Sequence, residues 1–400
     1  MTAGLSSERL KRIDQHFQEK YIDTGKLPGV LTLVARRGEI AHFSALGMMD
    51  VENNKPTNED TIFRIYSMTK AITTVALMML YEEGKFQLND PVHMYLPEWE
   101  NTEVWVSGEY PDFKSRPQDR PMTIRDLLSH QSGLTYGFND TNAVDRAYQQ
   151  IGWETMLSSP LPEWSKLLAK LPLLFSPGTA WNYSLATDLC GYLVQVLADQ
   201  PFDEYLQERI FDPLGMVDTS FSISDDKLDR FAACYEPTPD GGMKPQDPQF
   251  TSAYRKKPAW ISGGGGLVST TMDYYRFLQV LANNGKSDGR RYLSRKTIEL
   301  MTANHLPDGK SVIDHAFTPP PDEHRRGEGW GLGFSIALDH GKTQIAGSPG
   351  QYSWGGAAST EFWIDPTEEL VVIFMTQLLP SGTYPIKREL QVLVNAAIDD

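Results

Sequence analysis

The chain has 400 residues, 40% hydrophobic and 22% charged, an ordinary globular composition and long enough for one large domain or two lobes with ample core. Its formal net charge of -15, with no Lys/Arg cluster, argues against binding a phosphate backbone. No apolar run reaches membrane-spanning length, and Met1 to Glu8 has no basic region followed by an apolar one, so the expectation is a cytoplasmic protein with neither nucleic acid nor membrane as partner.

In chain order, residues 6–24 are predicted to form an amphipathic helix, with Leu10, Ile13, Phe17 and Tyr21 on one side. Pro28-Gly29 leads into a strand from Val30 to Ala35, Arg37-Gly38 turns, and Ile40 to Phe43 returns, a β-hairpin. Ser67 opens a run from Ala71 to Leu80 that is apolar on nearly all sides, so it reads as a buried helix, stopped by Gly84. Asn101 to Pro121 and His305 to Gly329, the second carrying Pro319-Pro320-Pro321, read as long irregular loops of the kind that form walls or lids. Further helices are expected over Ile124 to Ser129, Ala186 to Ala198, Phe202 to Ile210 and Asp273 to Asn283. Cys190 falls on an apparent amphipathic helix, so a buried free thiol is expected of it rather than a disulfide with Cys234.

Near the other end, Ala358 to Ile364 and Leu370 to Met375 read as strands joined by Asp365 to Glu368, and a last helix runs from Pro385 to Ala397. Strands from both ends should join one antiparallel sheet flanked by the first and last helices. The expected class is α+β: a discontinuous sheet lobe of residues 1–75 and 265–400, a mainly helical lobe of residues 76–264, and an active site in the cleft between them.

Ser67 and Lys70 carry the chemistry. A hydroxyl nucleophile and an amine three residues apart share one helix face. At the helix N-terminus the dipole and free N–H groups favour developing negative charge. Such a pair performs acyl transfer without histidine, metal or cofactor. The same spacing recurs at Ser224 and Lys227, but Asp225-Asp226 follows and no apolar run of helix length does, so that pair reads as a surface turn or cap. Tyr183 follows the Pro177-Gly178-Thr179 turn and precedes the helix from Ala186; a phenol there can face a cleft and shuttle a proton beside a cation. Glycines in Gly347 to Ala357 let substrate lie along the backbone, and an N–H there could pair with that of Ser67 as an oxyanion hole.

These residues make the chain resemble the serine β-lactamase and penicillin-binding-protein superfamily, and within it the class C-like esterases called family VIII carboxylesterases. The resemblance spans Pro28 to about Met375. It is carried by Ser67-Met68-Thr69-Lys70, Leu127 to Leu134, Pro177-Gly178-Thr179 with Tyr183-Ser184, Pro213 to Met216, Gly264 to Ser269, Gly331 to Phe334 and Trp354-Gly355-Gly356. It implies a β-lactamase/transpeptidase-like fold, with Ser67 as nucleophile, Lys70 and Tyr183 as a coupled general base and acid, and the N–H of Ala357, on an edge strand, as second oxyanion donor. Two positions depart from the β-lactamase pattern. Leu185 stands where a Tyr-Ser-Asn motif has its amide, and Trp354-Gly355-Gly356 replaces Lys-Thr-Gly, with an aromatic wall in place of the lysine that helps bind a substrate carboxylate. Both favour neutral acyl esters.

The expectation is therefore a serine carboxylesterase acting on small-molecule esters, with short acyl chains, through an acyl-enzyme on Ser67. Rival readings are a β-lactamase or D-alanyl-D-alanine peptidase, an acyltransferase of the same fold, and a catalytically silent scaffold. His130 invites a Ser-His-Asp triad, but no Gly-x-Ser-x-Gly elbow exists, and in the family this segment buttresses a helix end. The histidines show no metal-ligand spacing, so no metal or cofactor is expected.

Overall fold

Residues alternate between two hydrophobic layers along the central strands. In Leu370–Met375, Val371, Ile373 and Met375 join the core that holds the helix Thr69–Glu82, while Leu370, Val372 and Phe374 join the core under the first and last helices. Leu31, Leu33 and Ala35 against Val30 and Val34 repeat the pattern in Gly29–Arg36. A period of two with both sets apolar is what a sheet covered on both faces requires. The computed structural model describes residues 2–151, 155, 158–318 and 323–400, with backbone only at 323 and 324.

The sheet has eight antiparallel strands, in the order Glu328–Trp330, Ser335–Ala337, Tyr352–Gly355, Glu361–Asp365, Leu370–Met375, Gly29–Arg36, Glu39–Asp50, Lys55–Pro56. Its centre joins the two ends of the chain, with Leu31 opposite Met375 and Arg36 opposite Leu370. Ser7–Phe17, continued as π-helical Gln18–Ile22, and Ile386–Asn395 cover one face through Leu10, Ile13, Phe17, Leu390 and Val394. Thr69–Glu82 and Thr271–Ala282 lie on the other. Thr69–Glu82 is buried from Thr69 to Leu80, since Ala186–Ala198 packs against it on the side away from the sheet. At about 1.5–3 kcal/mol for each fully buried large aliphatic side chain, this helix is held by its surroundings and not by its own propensity.

Several expectations change, among them the irregular loop from His305 to Gly329, which holds the short helix Val312–His315 and the start of the strand Glu328–Trp330. Asn101 to Pro121 is not loop throughout: Glu103–Ser107 pairs with Lys114–Pro117, and Val104 bridges Leu173. The strand predicted from Ala358 begins at Glu361, because a turn occupies the intervening residues, with Ser359 at φ 65° and the Gly356 N–H donating to Thr360 O (2.8 Å). The helix predicted over Phe202 to Ile210 divides into Phe202–Leu206 and π-helical Gln207–Phe211. Pro319-Pro320-Pro321 lies outside the described residues. Cys190 and Cys234 are both free and buried. No helix among the described residues is long and apolar enough to cross a membrane.

Candidate active site

The approach to Ser67 is rigidly held. Ile62–Arg64 pairs with Val268–Thr270. The guanidinium of Arg64 is fully buried; it donates to Asp247 Oδ2 (2.7 Å) and Ala232 O (2.6 Å), and lies 4.0 Å from the ring centroid of Phe231. A buried cation with those partners anchors the strand end. Tyr66 then takes φ 41°, in the left-handed region that non-glycine residues rarely adopt, a local strain of the kind found at functional sites. Ser67 follows on the single 3₁₀ turn Tyr66–Met68 that feeds Thr69–Glu82, and the Tyr274 hydroxyl fastens this turn by donating to Met68 O (2.9 Å). N–H groups at such a start have no intrahelical acceptor.

Ser67, Lys70 and Tyr183 come together. Ser67 Oγ accepts from Lys70 Nζ (3.1 Å) and from the Tyr183 hydroxyl (2.8 Å). Lys70 is fully buried, and Nζ directs its other two donors at Tyr136 Oη (3.0 Å) and Gly264 O (2.6 Å). Nζ thus lies within hydrogen-bond distance of three oxygens, which fix its position beside Ser67. The indole N–H of Trp354 donates to Tyr183 Oη (3.1 Å), occupying one lone pair and leaving the phenolic proton to Ser67.

Trp354 and Gly355 end the strand Tyr352–Gly355, with Gly356 and Ala357 in the turn beyond. Ala357 is thus not on an edge strand. The neighbouring strand Ser335–Ala337 pairs only with Tyr352 and Ser353, so Trp354 and Gly355 are unpaired on that edge while their other edge pairs with Phe362 and Glu361. Gly356 is required sterically: a Cβ there would stand 2.4 Å from Ile65 O, on the segment that carries Ser67. That close approach brings the Ala357 turn to the segment that carries Ser67.

Three neighbours of this site escaped the sequence reading. Tyr136 lies tilted against Tyr183 (ring centroids 5.3 Å apart, planes at 46°), and burial, then the charges of Tyr183 and Asp188, push its phenol well above the ordinary range, so it stays protonated. Asp188, fully buried on Ala186–Ala198, accepts from Ser262 Oγ (2.5 Å) and the Gly264 N–H (3.0 Å), and so fixes the carbonyl that receives Lys70. Burial raises its carboxyl above the usual range, while Lys70 pulls it down. A lone acid on the apolar face of a helix was the legible signal for it. Trp330 meets Trp354 edge-on at 4.6 Å and completes the aromatic wall.

His130 takes the left-handed position, φ 54°, just past Ile124–Leu128, and is buried with its ring 4.9 Å from that of Tyr183. Nδ1 lies 3.2 Å from Ser184 Oγ and Nε2 has no partner among the described residues, so the ring buttresses Tyr183 and makes no hydrogen bond to Ser67. Burial, then the charge of Lys70, hold its imidazole well below its ordinary value of 6.5. Below pH 6.5 the unfolded chain therefore takes up a proton that the folded chain refuses. The stabilisation is whole above that pH and declines as pH falls towards the folded value, by about 1.4 kcal/mol per pH unit for one proton. Denaturant titrations between pH 7 and pH 5 should show a shallower fall in stability for His130→Gln than for the wild type. The slope should not vanish, since burial also lowers His305 and His315. An unchanged slope would remove His130 from this role.

Ser67 opens on a cavity of about 1020 Å³, lined also by Phe138, Leu185, Phe221, Tyr254, Trp260 and Trp354. Aromatic and aliphatic walls around a few convergent polar groups are the usual make-up of a small-molecule site. Among the described residues no group of three or more His, Cys, Asp or Glu side chains stands together as a metal centre would need. Ser224, by contrast, is exposed at the start of Asp225–Arg230, and Lys227 turns away from it to Val217 O (2.5 Å) and Asp218 Oδ1 (3.0 Å).

The sequence profile of the family described as Beta-lactamase matches residues 12–396. An uncharacterized protein of Mycobacterium tuberculosis is 34% identical over 90% of this chain and 88% of its own length. Esterase EstB of Burkholderia gladioli is 30% identical over 95% of this chain and 92% of its own. Among solved structures, EstCE1, described as a hydrolase with promiscuous acyltransferase activity, superposes with a TM-score of 0.81 at 26% identity, covering 98% of this chain and 99% of that one.

Proposed function

The chain belongs to the β-lactamase family and is a serine hydrolase of that fold, and from this premise we propose that it is a carboxylesterase with Ser67 as its nucleophile. With Lys70 as the free amine, Ser67 Oγ attacks the acyl carbonyl as its proton passes to the Nζ lone pair, and Tyr183, bonded to the same oxygen, completes the proton-transfer pair. The tetrahedral oxyanion is held by the N–H groups of Ser67 and Ala357. The pair then returns the proton to the departing alcohol, and water repeats the sequence to free the acid. Gly264 O and Tyr136 hold the Lys70 amine in place throughout. The cavity exceeds what a short acyl group fills, so the remaining space is left to the alcohol. Transfer of the acyl group to a second alcohol is the alternative outcome of the same intermediate, favoured by the EstCE1 description.

The observation that carries this reading is Trp354. It stands where a β-lactamase lysine would meet a substrate carboxylate, and its N–H is already committed to Tyr183. A charge-assisted hydrogen bond contributes roughly 1.5–3 kcal/mol, or about 10- to 150-fold in rate. The kcat/KM of the wild type for nitrocefin should therefore fall well below that for p-nitrophenyl butyrate. Trp354→Lys should narrow this ratio while lowering ester turnover, since it also removes the hydrogen bond to Tyr183. Equal handling of nitrocefin and ester by the wild type would restore the β-lactamase reading.

A further inference from the structure

The aromatic wall continues from the nucleophile towards solvent. From Trp354 the rings follow one another through Tyr183 (centroids 5.1 Å apart) and Tyr136 (5.3 Å) to Phe138 (4.6 Å). Trp354 and Tyr183 are half-buried and Tyr136 is buried. Phe138, at the end of the row, is 66% exposed and still lines the cavity that holds Ser67.

The exposed ring is held in place. Phe138 sits on the 3₁₀ turn Gly137–Asn139, between Tyr136 and the helix Ala143–Gln150. The Gln149 side chain donates to Gly137 O, and a Cβ at Gly137 would stand 3.0 Å from Tyr148 Cβ, so the turn lies close against that helix. The planes of Phe138 and Tyr136 are 22° apart. Tyr136 therefore covers one face of Phe138, and the exposure belongs to the other face and the ring edge. A flat apolar surface fixed before anything binds takes a partner without the entropic cost of ordering it.

We propose that the ester taken by this site carries an aromatic ring, stacked on the open face of Phe138. Offset stacking needs a flat partner and adds to the gain from buried area; an alkyl chain or a saturated ring has the area alone. Tyr136 Oη is 3.0 Å from Lys70 Nζ, so the stacking face stands one side chain away from the reacting groups. The cavity, about 1020 Å³, is at the upper end of the range for drug-sized ligands and has room for a ring beside the ester. Phe221, Tyr254 and Trp260 keep the rest of its lining apolar. The substrate class is thus an aryl-bearing ester, such as the ester of an arylalkyl alcohol or of an arylalkanoic acid, and Phe138 determines that specificity. This assignment rests on the esterase reading above.

The test compares phenyl with cyclohexyl esters: 2-phenylethyl with 2-cyclohexylethyl butyrate, and ethyl 3-phenylpropionate with ethyl 3-cyclohexylpropionate. The saturated ring buries at least as much apolar surface, so stacking alone favours the phenyl member. In at least one pair the phenyl ester should be preferred in kcat/KM by about 2- to 12-fold, the gain of an aromatic pair beyond buried area. The pair that responds tells whether the ring belongs to the alcohol or to the acid. Phe138→Leu keeps an apolar side chain and loses the flat face; it should bring the ratio to one or below, mainly through KM, with thermal melts confirming folded protein. Phe138→Tyr should retain the preference. Binding of the same esters to Ser67→Ala, followed by calorimetry, should show it without turnover. If the wild type hydrolyses the cyclohexyl esters as well as the phenyl esters, or Phe138→Leu slows both alike and keeps the ratio, the ring site is wrong and the esterase stands. If no ester is hydrolysed, the esterase reading fails, and the ring site stands or falls with the phenyl preference in binding.

Discussion

Ser67→Ala should abolish ester turnover, with a loss on the order of 10⁶-fold in kcat, the scale on which removal of a hydrolase nucleophile is felt. Covalent labelling by a fluorophosphonate should vanish with it. The geometry makes the expectation specific to one hydroxyl. Ser67 Oγ is the convergence point of Lys70 and Tyr183, it follows the constrained Tyr66, and it faces the large cavity. Ser224 shares the spacing and none of these features, because Lys227 bonds to Val217 and Asp218 instead. Ser224→Ala should keep both turnover and labelling. Loss of the label in the Ser224 variant, or its survival in the Ser67 variant, would overturn the assignment.

Lys70→Ala and Tyr183→Phe should each lower kcat by about 10²- to 10⁴-fold, the range of general acid–base catalysis, and the double variant should be little worse than either. The reason is the shared acceptor: both groups donate to one Ser67 Oγ, and Lys70 Nζ sits 4.7 Å from the Tyr183 ring centroid. Removing either leaves the proton without its full route, so removing the second costs little more. Independent effects, adding fully in a double-mutant cycle, would mean that Lys70 and Tyr183 act in separate steps. Stability should be measured alongside, because Lys70 is fully buried among three acceptors, and alanine leaves Tyr136 Oη and Gly264 O without their donor.

The legible parts of this molecule were local. Ser67 and Lys70 lie one helical turn apart, so spacing and the apolar run behind them singled them out, and the family resemblance decided for them as the reactive pair. Tyr183 was marked by a turn and a helix start, and the two ends of the sheet by short apolar runs bounded by turn residues. What escaped depends on contacts distant in the chain. Tyr136 is 66 positions from Lys70 and is one of 17 tyrosines, so nothing local distinguishes it. Asp188 acts on Lys70 through Gly264, 76 positions on. Trp354 was named for the lysine it replaces, but its bond to Tyr183 spans 171 positions and belongs to the fold alone. The Ala357 turn was taken for strand because Ala358-Ser359-Thr360 has ordinary strand chemistry; the close packing of Gly356 on Ile65 overrides it.

The middle of the sheet has a consequence for biosynthesis. Gly29–Arg36 finds its second neighbour only in Leu370–Met375, and Thr376 Oγ1 closes the pair by donating to Gly29 O, 347 positions away. At about 5–20 residues per second, a ribosome needs roughly 20–70 s to bridge that distance. Throughout this interval Val30, Leu31, Leu33 and Val34 form an apolar strand with an unpaired edge, and the helix that carries Lys70 has emerged without the sheet that covers it. Such a nascent chain invites self-association, and its closure is slow because the decisive contacts are so far apart. Slower translation lengthens this exposure and chaperone supply should counter it, and a chain cut short before residue 370 lacks the strand that completes the sheet beside Gly29–Arg36.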